Sequence, residues 1–93
     1  MTKVKNLNGT SDNAVPSGYT SWKNWWESKT GREFSTCSHK GCATSAAVGA
    51  HVQKSGATDM KWYIVPLCRS CNGMSSTKVF EVRDYDLIWV GTK

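Results

Sequence analysis

The sequence lacks long hydrophobic runs and contains only two prolines and two histidines among its 93 residues. No apolar stretch approaches the roughly 20 residues that span a bilayer, so we expect no membrane segment. Residues 1–30 lack the apolar centre of a signal peptide, and we therefore expect a soluble, cytoplasmic protein. In that reducing compartment, closely spaced cysteines indicate metal binding more often than disulfides.

Acidic residues are also few: seven Asp and Glu stand against twelve Lys and Arg, giving a formal net charge of +5. A basic chain is compatible with a nucleic-acid or other anionic partner, and equally with an ordinary solvated surface. Hydrophobic residues make up 39% of the chain, which is typical of a folded domain. We interpret residues 1–93 as a single domain with a polar N-terminal segment, 1–18, that is expected to be flexible apart from a short strand at 3–7.

The hydrophobic pattern predicts an α+β fold. A helix is predicted at 21–30, with a capping hydroxyl at its start and Gly31 at its end, and one face of it carries Trp22, Trp25 and Trp26. We expect this face to anchor the core, a base-stacking surface being the alternative. Strands are predicted at 46–52, 61–65, 79–82 and 87–90, with a turn at 53–59 and an acidic turn at 83–86. Pro66 is predicted to end the second of these strands, and a short, weak helix is predicted to start near Cys68.

All four cysteines fall into two close pairs, Cys37 with Cys42 and Cys68 with Cys71. Four thiolates form the closed, tetrahedral ligand set of a structural zinc, which leaves no position for water. Two disulfides and four ordinary buried thiols are the alternatives. We predict one structural Zn²⁺ that contributes much of the folding free energy, with His39 and His51 as possible substitute ligands.

Four motifs follow one another between residues 37 and 74. They are the first cysteine pair, a strand ending in Gly49-Ala50-His51-Val52, a strand running into Val65-Pro66-Leu67-Cys68, and Arg69-Ser70-Cys71-Asn72 opening a helix. In this order they resemble the HNH, or His-Me finger, group of treble-clef zinc domains. The resemblance implies a small zinc-stapled treble-clef core (HNH-like ββα), extended here by the Trp-rich helix and the C-terminal strands.

The resemblance also implies roles for two side chains. In that family a strand-end histidine is the general base for attack on a phosphodiester, and a His or Asn after the last cysteine binds a catalytic divalent metal. His51 matches the base and Asn72 matches the metal ligand. Ala50 stands where the family has a second metal ligand, and no Asn lies between residues 52 and 67 to orient the base. The implied active site is therefore degenerate, and a second divalent metal is expected only if the chain is a nuclease.

Three functions are compatible with these patterns. The leading hypothesis is nucleic-acid binding, with DNA as the expected partner, without efficient catalysis and through the basic residues Lys40, Lys54, Lys61, Arg69 and Lys78. The second is a metal-dependent HNH endonuclease that uses His51. The third is a structural or protein-interaction module in which the strand at 87–90 pairs with a protein partner or a second copy.

Overall fold

The computed structural model describes residues 1–7, 15–58 and 61–90. Its elements, in chain order, are β1 (Thr2–Asn6), α1 (Trp22–Thr30), β2 (Val48–Lys54), β3 (Tyr63–Leu67), α2 (Arg69–Asn72), β4 (Phe80–Val82), a 3₁₀ turn (Asp84–Asp86) and β5 (Ile88–Trp89). The strands form one antiparallel sheet in the order β4-β1-β2-β3-β5. Helices combined with an antiparallel sheet confirm the α+β class.

The sheet has two covered faces because successive side chains of a strand point to opposite sides. We call the first the cysteine face, because its buried side chains pack around the cysteines; they are Val4, Ala50, Val52, Val65, Leu67, Phe80 and Val82. The second is the helix face, where Ile64 packs against Trp25 and Trp26 of α1. The protein therefore has one apolar cluster on each side of a single sheet.

Helix α1 begins and ends as the sequence predicts. The Ser21 hydroxyl accepts a hydrogen bond from the Asn24 backbone N–H at 3.0 Å, and Gly31 closes the helix in the left-handed region with φ 69°. Trp25 and Trp26 are only 4% and 2% exposed, so they are core anchors. The helix lies so close to β2 that a Cβ on Gly49 would stand 2.8 Å from the Trp22 carbonyl carbon.

The prediction that Pro66 ends a strand is wrong, because β3 continues through it to Leu67. The Pro66 carbonyl points away from β2 and accepts a hydrogen bond from the Ser38 N–H at 2.9 Å. Strand β5 pairs only with Tyr63 and Ile64, so it does not extend as far as the proline. The missing N–H of Pro66 therefore removes no hydrogen bond from the sheet.

The predicted N-terminal strand is present as β1, and it lies between β4 and β2. The buried Asn6 side chain donates hydrogen bonds to the carbonyls of Cys71 and Met74, at 2.9 and 3.1 Å, and so ties this strand to the end of α2. Residues 8–14 of the polar segment, and residue 59 of the predicted turn at 53–59, lie outside the described residues. The first two residues of that turn, 53–54, instead belong to β2.

A buried carboxylate connects the 3₁₀ turn to the helix side of the fold. Asp86 is 2% exposed and forms ion pairs with Arg32 at 3.0 Å and with Arg83 at 2.8 Å. The Trp26 indole N–H donates to the Asp86 carbonyl at 2.8 Å. Across the described ranges, neither helix is long and apolar enough to cross a membrane.

Candidate metal centre

The four cysteine sulfurs form one cluster in which all Sγ atoms lie within 4.8 Å of one another. Cys42 Sγ is 3.9 Å from Cys68 Sγ and 4.0 Å from Cys71 Sγ. Zinc–sulfur bonds of about 2.3 Å in a tetrahedron separate neighbouring sulfurs by about 3.8 Å. The cluster therefore fits a single four-coordinate ion, and the four cysteines can hold one metal.

Two tight turns bring the sulfurs together. In the first, the Cys42 N–H donates to the His39 carbonyl at 2.9 Å, and Gly41 takes a left-handed φ of 82°. In the second, Cys68 stands at the N-cap of α2, and the Asn72 N–H donates to its carbonyl at 3.0 Å. Each turn places its two thiols on the same side of the backbone, where both reach one ion.

Residues 38–40 lie between the two cysteines of the first pair and link β3 to β4. We call them the closing segment. The Ser38 N–H donates to Pro66 of β3, His39 forms a bridge with Val82 of β4, and the Lys40 N–H donates to Glu81 at 2.8 Å. The sheet therefore curls around the cysteine face, and the closing segment lies along both β3 and β4.

Burial and local hydrogen-bond donors shift the pKa values of the cysteine thiols in different directions. Burial raises the pKa of Cys37 and of Cys71, because an apolar environment disfavours thiolate. The backbone N–H of Thr44 instead lowers the pKa of Cys42 to about 7. His39 Nδ1 is 3.2 Å from Cys71 Sγ, beside the sulfur cluster and outside it. A divalent cation would compensate the charge of four thiolates, including those of Cys37 and Cys71 that burial disfavours.

The two candidate catalytic side chains lie on different sides of the sheet. His51 is 8% exposed on the helix face, where its ring meets Trp22 edge-on at 4.9 Å and Trp62 at 5.9 Å between centroids. Asn72 is exposed and belongs to α2, whose Cys71 packs into the cysteine face. By strand alternation His51 points to the face opposite Ala50 and Val52, which share their cluster with Cys71 of α2. Within the described ranges, the cysteines are also the only cluster of three or more His, Cys, Asp or Glu ligands.

The five basic residues singled out by the sequence divide into separate groups. Lys40 and Lys78 line one groove beside β4, and Lys3, which the sequence analysis missed, lines it with them. The sequence could have predicted an exposed Lys3, because buried Val4 and Asn6 alternate with outward-facing lysines along β1. Arg69 is exposed on α2 and does not line this groove.

Lys54 and Lys61 form the other group, at one end of β2 and β3. The Lys54 ammonium lies 5.0 Å from the centre of the Tyr63 ring, and the Lys61 ammonium lies 4.7 Å from the centre of the Trp89 ring. Of these four side chains, only the two lysines are predicted from the sequence as binding residues. Strand alternation would have placed Lys61 and Tyr63 on one face, whereas Lys54 and Trp89 join them only through the strand register.

Comparisons with known proteins give no relative: no family model matches the chain, and no curated protein or solved structure matches it. The function is therefore inferred from the geometry of the site and its surroundings.

Proposed function

We propose that this chain is a zinc-binding module in which the metal stabilises the fold, and that the module binds nucleic acid through basic side chains without efficient catalysis. The observation that carries the nucleic-acid part is the groove beside β4, where Lys3, Lys40 and Lys78 meet around a single carboxylate, Glu81. Three lysines that line one groove are suited to contact the phosphates of a nucleic-acid backbone.

Zinc is the metal that the donor set favours. The cluster offers four sulfurs and no oxygen ligand, and soft thiolates select zinc over the hard cations magnesium and calcium. Cys37, Cys68 and Cys71 are nearly buried, at 2%, 5% and 8% exposure, so the complete set leaves little access for water or substrate. When bound, the ion would cross-link the closing segment to α2, which is a structural role.

The order of elements supports the HNH-like treble-clef core. A cysteine turn precedes the β2–β3 hairpin, and the second cysteine pair opens the short helix α2. This is the order that the resemblance implies for residues 37–74. Comparison of metal-loaded and metal-free protein by NMR would test the core directly, since shift changes should concentrate in these elements.

The charge of the groove favours an anionic partner. Lys40 pairs with Glu81 at 3.5 Å, and the Lys40 side chain remains 65% exposed. Exposed pairs of this kind are weak, so the ammonium group is available to a phosphate. Each phosphate neutralised on a duplex lowers log K by about 0.9 per tenfold rise in salt, so three lysines predict a slope of about −3.

The endonuclease hypothesis has less support. A general base must reach the attacking water, whereas His51 is nearly buried between two tryptophans on the helix face. The described residues provide no cluster of acidic ligands beside it for a second, catalytic metal. A plasmid-nicking assay with Mg²⁺, Mn²⁺ and Ni²⁺ tests this hypothesis, with His51→Ala as the control for contaminating nuclease.

The proposal is tested by titrating zinc-loaded protein against duplex and single-stranded DNA across a series of salt concentrations. We expect the duplex affinity to fall steeply with salt, and the slope to decrease by about 2 in the Lys40→Gln, Lys78→Gln double variant. Lys29→Gln is the matched control, because Lys29 is an exposed lysine on α1. Absence of binding to both DNA forms at low salt would refute the proposal.

A further inference from the structure

Two aromatic rings lie side by side at one end of the sheet. Tyr63 of β3 is the direct register partner of Trp89 of β5, so both side chains are on the same face. Tyr63 and the neighbouring Leu87 both pack against the cysteine-face cluster, which identifies the face. Trp89 is 49% exposed, although large apolar side chains are usually covered, and Tyr63 is partly exposed.

Two lysines flank these rings on the same face. Lys61 is two residues before Tyr63 in the chain, and its ammonium lies 4.7 Å from the Trp89 ring centre. Lys54 comes from β2 and lies 5.0 Å from the Tyr63 ring centre. We call Lys54, Lys61, Tyr63 and Trp89 the ring–lysine patch. The patch draws on three adjacent strands, which hold the side chains in a fixed order.

The patch has the two features that single-stranded nucleic acid requires. Exposed rings on a sheet provide surfaces on which unpaired bases stack, and neighbouring cations neutralise the phosphates between those bases. A contact between an exposed ammonium and a ring is weak, so each lysine can move from its ring to a phosphate when a base arrives. A duplex cannot use the rings, because its bases are already stacked.

We propose that the ring–lysine patch is a binding site for single-stranded nucleic acid, with Trp89 and Tyr63 each stacking on one of two successive bases. This inference deepens the proposed function and depends on it. The patch is distinct from the groove of Lys3, Lys40 and Lys78, which lies beside β4.

The charge around the patch favours this occupant over a neutral or cationic one. Asp84 is an acidic group in electrostatic contact with Lys54. That carboxylate accepts a hydrogen bond from the Thr2 hydroxyl and pairs with the Met1 ammonium at 3.5 Å, which lowers its pKa and partly neutralises it. Lys54 and Lys61 place two exposed cationic groups at this end of the sheet.

The test compares two probes of equal charge on zinc-loaded full-length protein: a dT₁₀ oligonucleotide and an abasic deoxyribose-phosphate decamer. We expect tighter binding of dT₁₀, since only this probe carries bases. Trp89→Ala should reduce the dT₁₀ affinity by about 5- to 150-fold, which is the range for loss of one stacked base. The abasic decamer should be affected little. An rU₁₀ arm shows whether the site prefers RNA or DNA.

Matched variants separate stacking from charge and from folding. Tyr85→Ala removes another exposed aromatic residue, 66% exposed, outside the patch and should leave dT₁₀ binding unchanged. Lys54→Gln with Lys61→Gln should weaken both probes and lower the single-strand salt slope by about 1.4. Tyr63→Leu keeps apolar volume against the core while it removes the aromatic face, and it should also lower dT₁₀ affinity.

The outcomes distinguish the two proposals. If the protein binds nucleic acid and Trp89→Ala has no effect on dT₁₀, the patch inference is refuted and the broader function stands. If no oligonucleotide binds at low salt, both are refuted. If Trp89→Ala instead abolishes a dimer seen in sedimentation without changing dT₁₀ binding, the ring belongs to a contact between two copies, and the inference is again refuted.

Discussion

Replacement of Cys37 by serine should unfold this protein or leave it severely destabilised. The Cys37 side chain is 2% exposed and belongs to the larger apolar cluster. Structural zinc contributes an apparent 10–16 kcal/mol, in order of magnitude, to small zinc-dependent domains. Whole domains are stable by only about 5–15 kcal/mol, so loss of the metal removes an amount comparable to the total. We expect Cys37→Ser to cost more than about 4 kcal/mol of unfolding free energy.

The assay combines metal content with stability. Wild-type protein should release one zinc per chain to a chromogenic chelator, and it should show a thiolate-to-metal charge-transfer band when cobalt replaces zinc. Cys37→Ser should release less than one zinc per chain and show a weaker cobalt band. Its thermal unfolding transition should be broad or absent. Ser45→Ala is the matched control, because Ser45 is exposed on the loop that follows Cys42 and is not one of the four clustered sulfur ligands.

One result would overturn the reasoning. If Cys37→Ser binds no metal, and still unfolds cooperatively at the wild-type temperature, the four cysteines are ordinary buried thiols. The closing segment would then be held by its hydrogen bonds to β3 and β4 alone.

Three further predictions concern packing, a buried charge and protons. Gly49→Ala should destabilise the fold by about 1–3 kcal/mol in chemical denaturation, because its methyl group would meet the Trp22 backbone at 2.8 Å. The control Gly73→Ala should be tolerated, because its new Cβ would have no neighbour closer than 3.5 Å. Asp86→Asn should lower the free energy of unfolding by about 2 kcal/mol or more, since it leaves two arginines without their buried carboxylate, whereas the exposed Asp84→Asn should cost much less. Zinc binding at pH 7 should release about two or more protons, because burial raises the pKa of two of the thiols and zinc binds only thiolate. Zinc affinity should therefore rise with pH. The measurement is calorimetry in buffers of different ionisation enthalpy, and a binding heat that did not vary with the buffer would contradict the prediction.

Local signals in the sequence predicted much of this fold. The helix at 21–30 was predictable because the capping hydroxyl, the aromatic spacing and Gly31 all act within a few residues. The cysteine cluster was predictable because two short spacings keep the thiols of each pair close enough to reach one ion. The strands at 79–82 and 87–90 contain β4 and β5 for a similar reason: each is a short apolar run beside an acidic turn.

Long-range pairing explains what the sequence did not predict. Pro66 is tolerated inside β3 because β5 stops before it, and Ser38, 28 positions earlier in the numbering, donates to its carbonyl on that side. The orientation of His51 depends on the strand register and on two tryptophans, Trp22 of α1 and Trp62 directly before β3. Neither partner can be read from the residues next to these positions, so the family resemblance alone suggested an accessible base.

The position of the closing segment has a consequence for handling the protein. Strand edges with unpaired backbone groups are templates for pairing with other chains. The closing segment covers part of β3 and the outer side of β4, and the metal site holds that segment in place through Cys37 and Cys42. Chelation should therefore expose unpaired backbone groups of both β3 and β4, so that metal-stripped protein aggregates by strand pairing between chains. Refolding should succeed best when zinc is present before the denaturant is diluted.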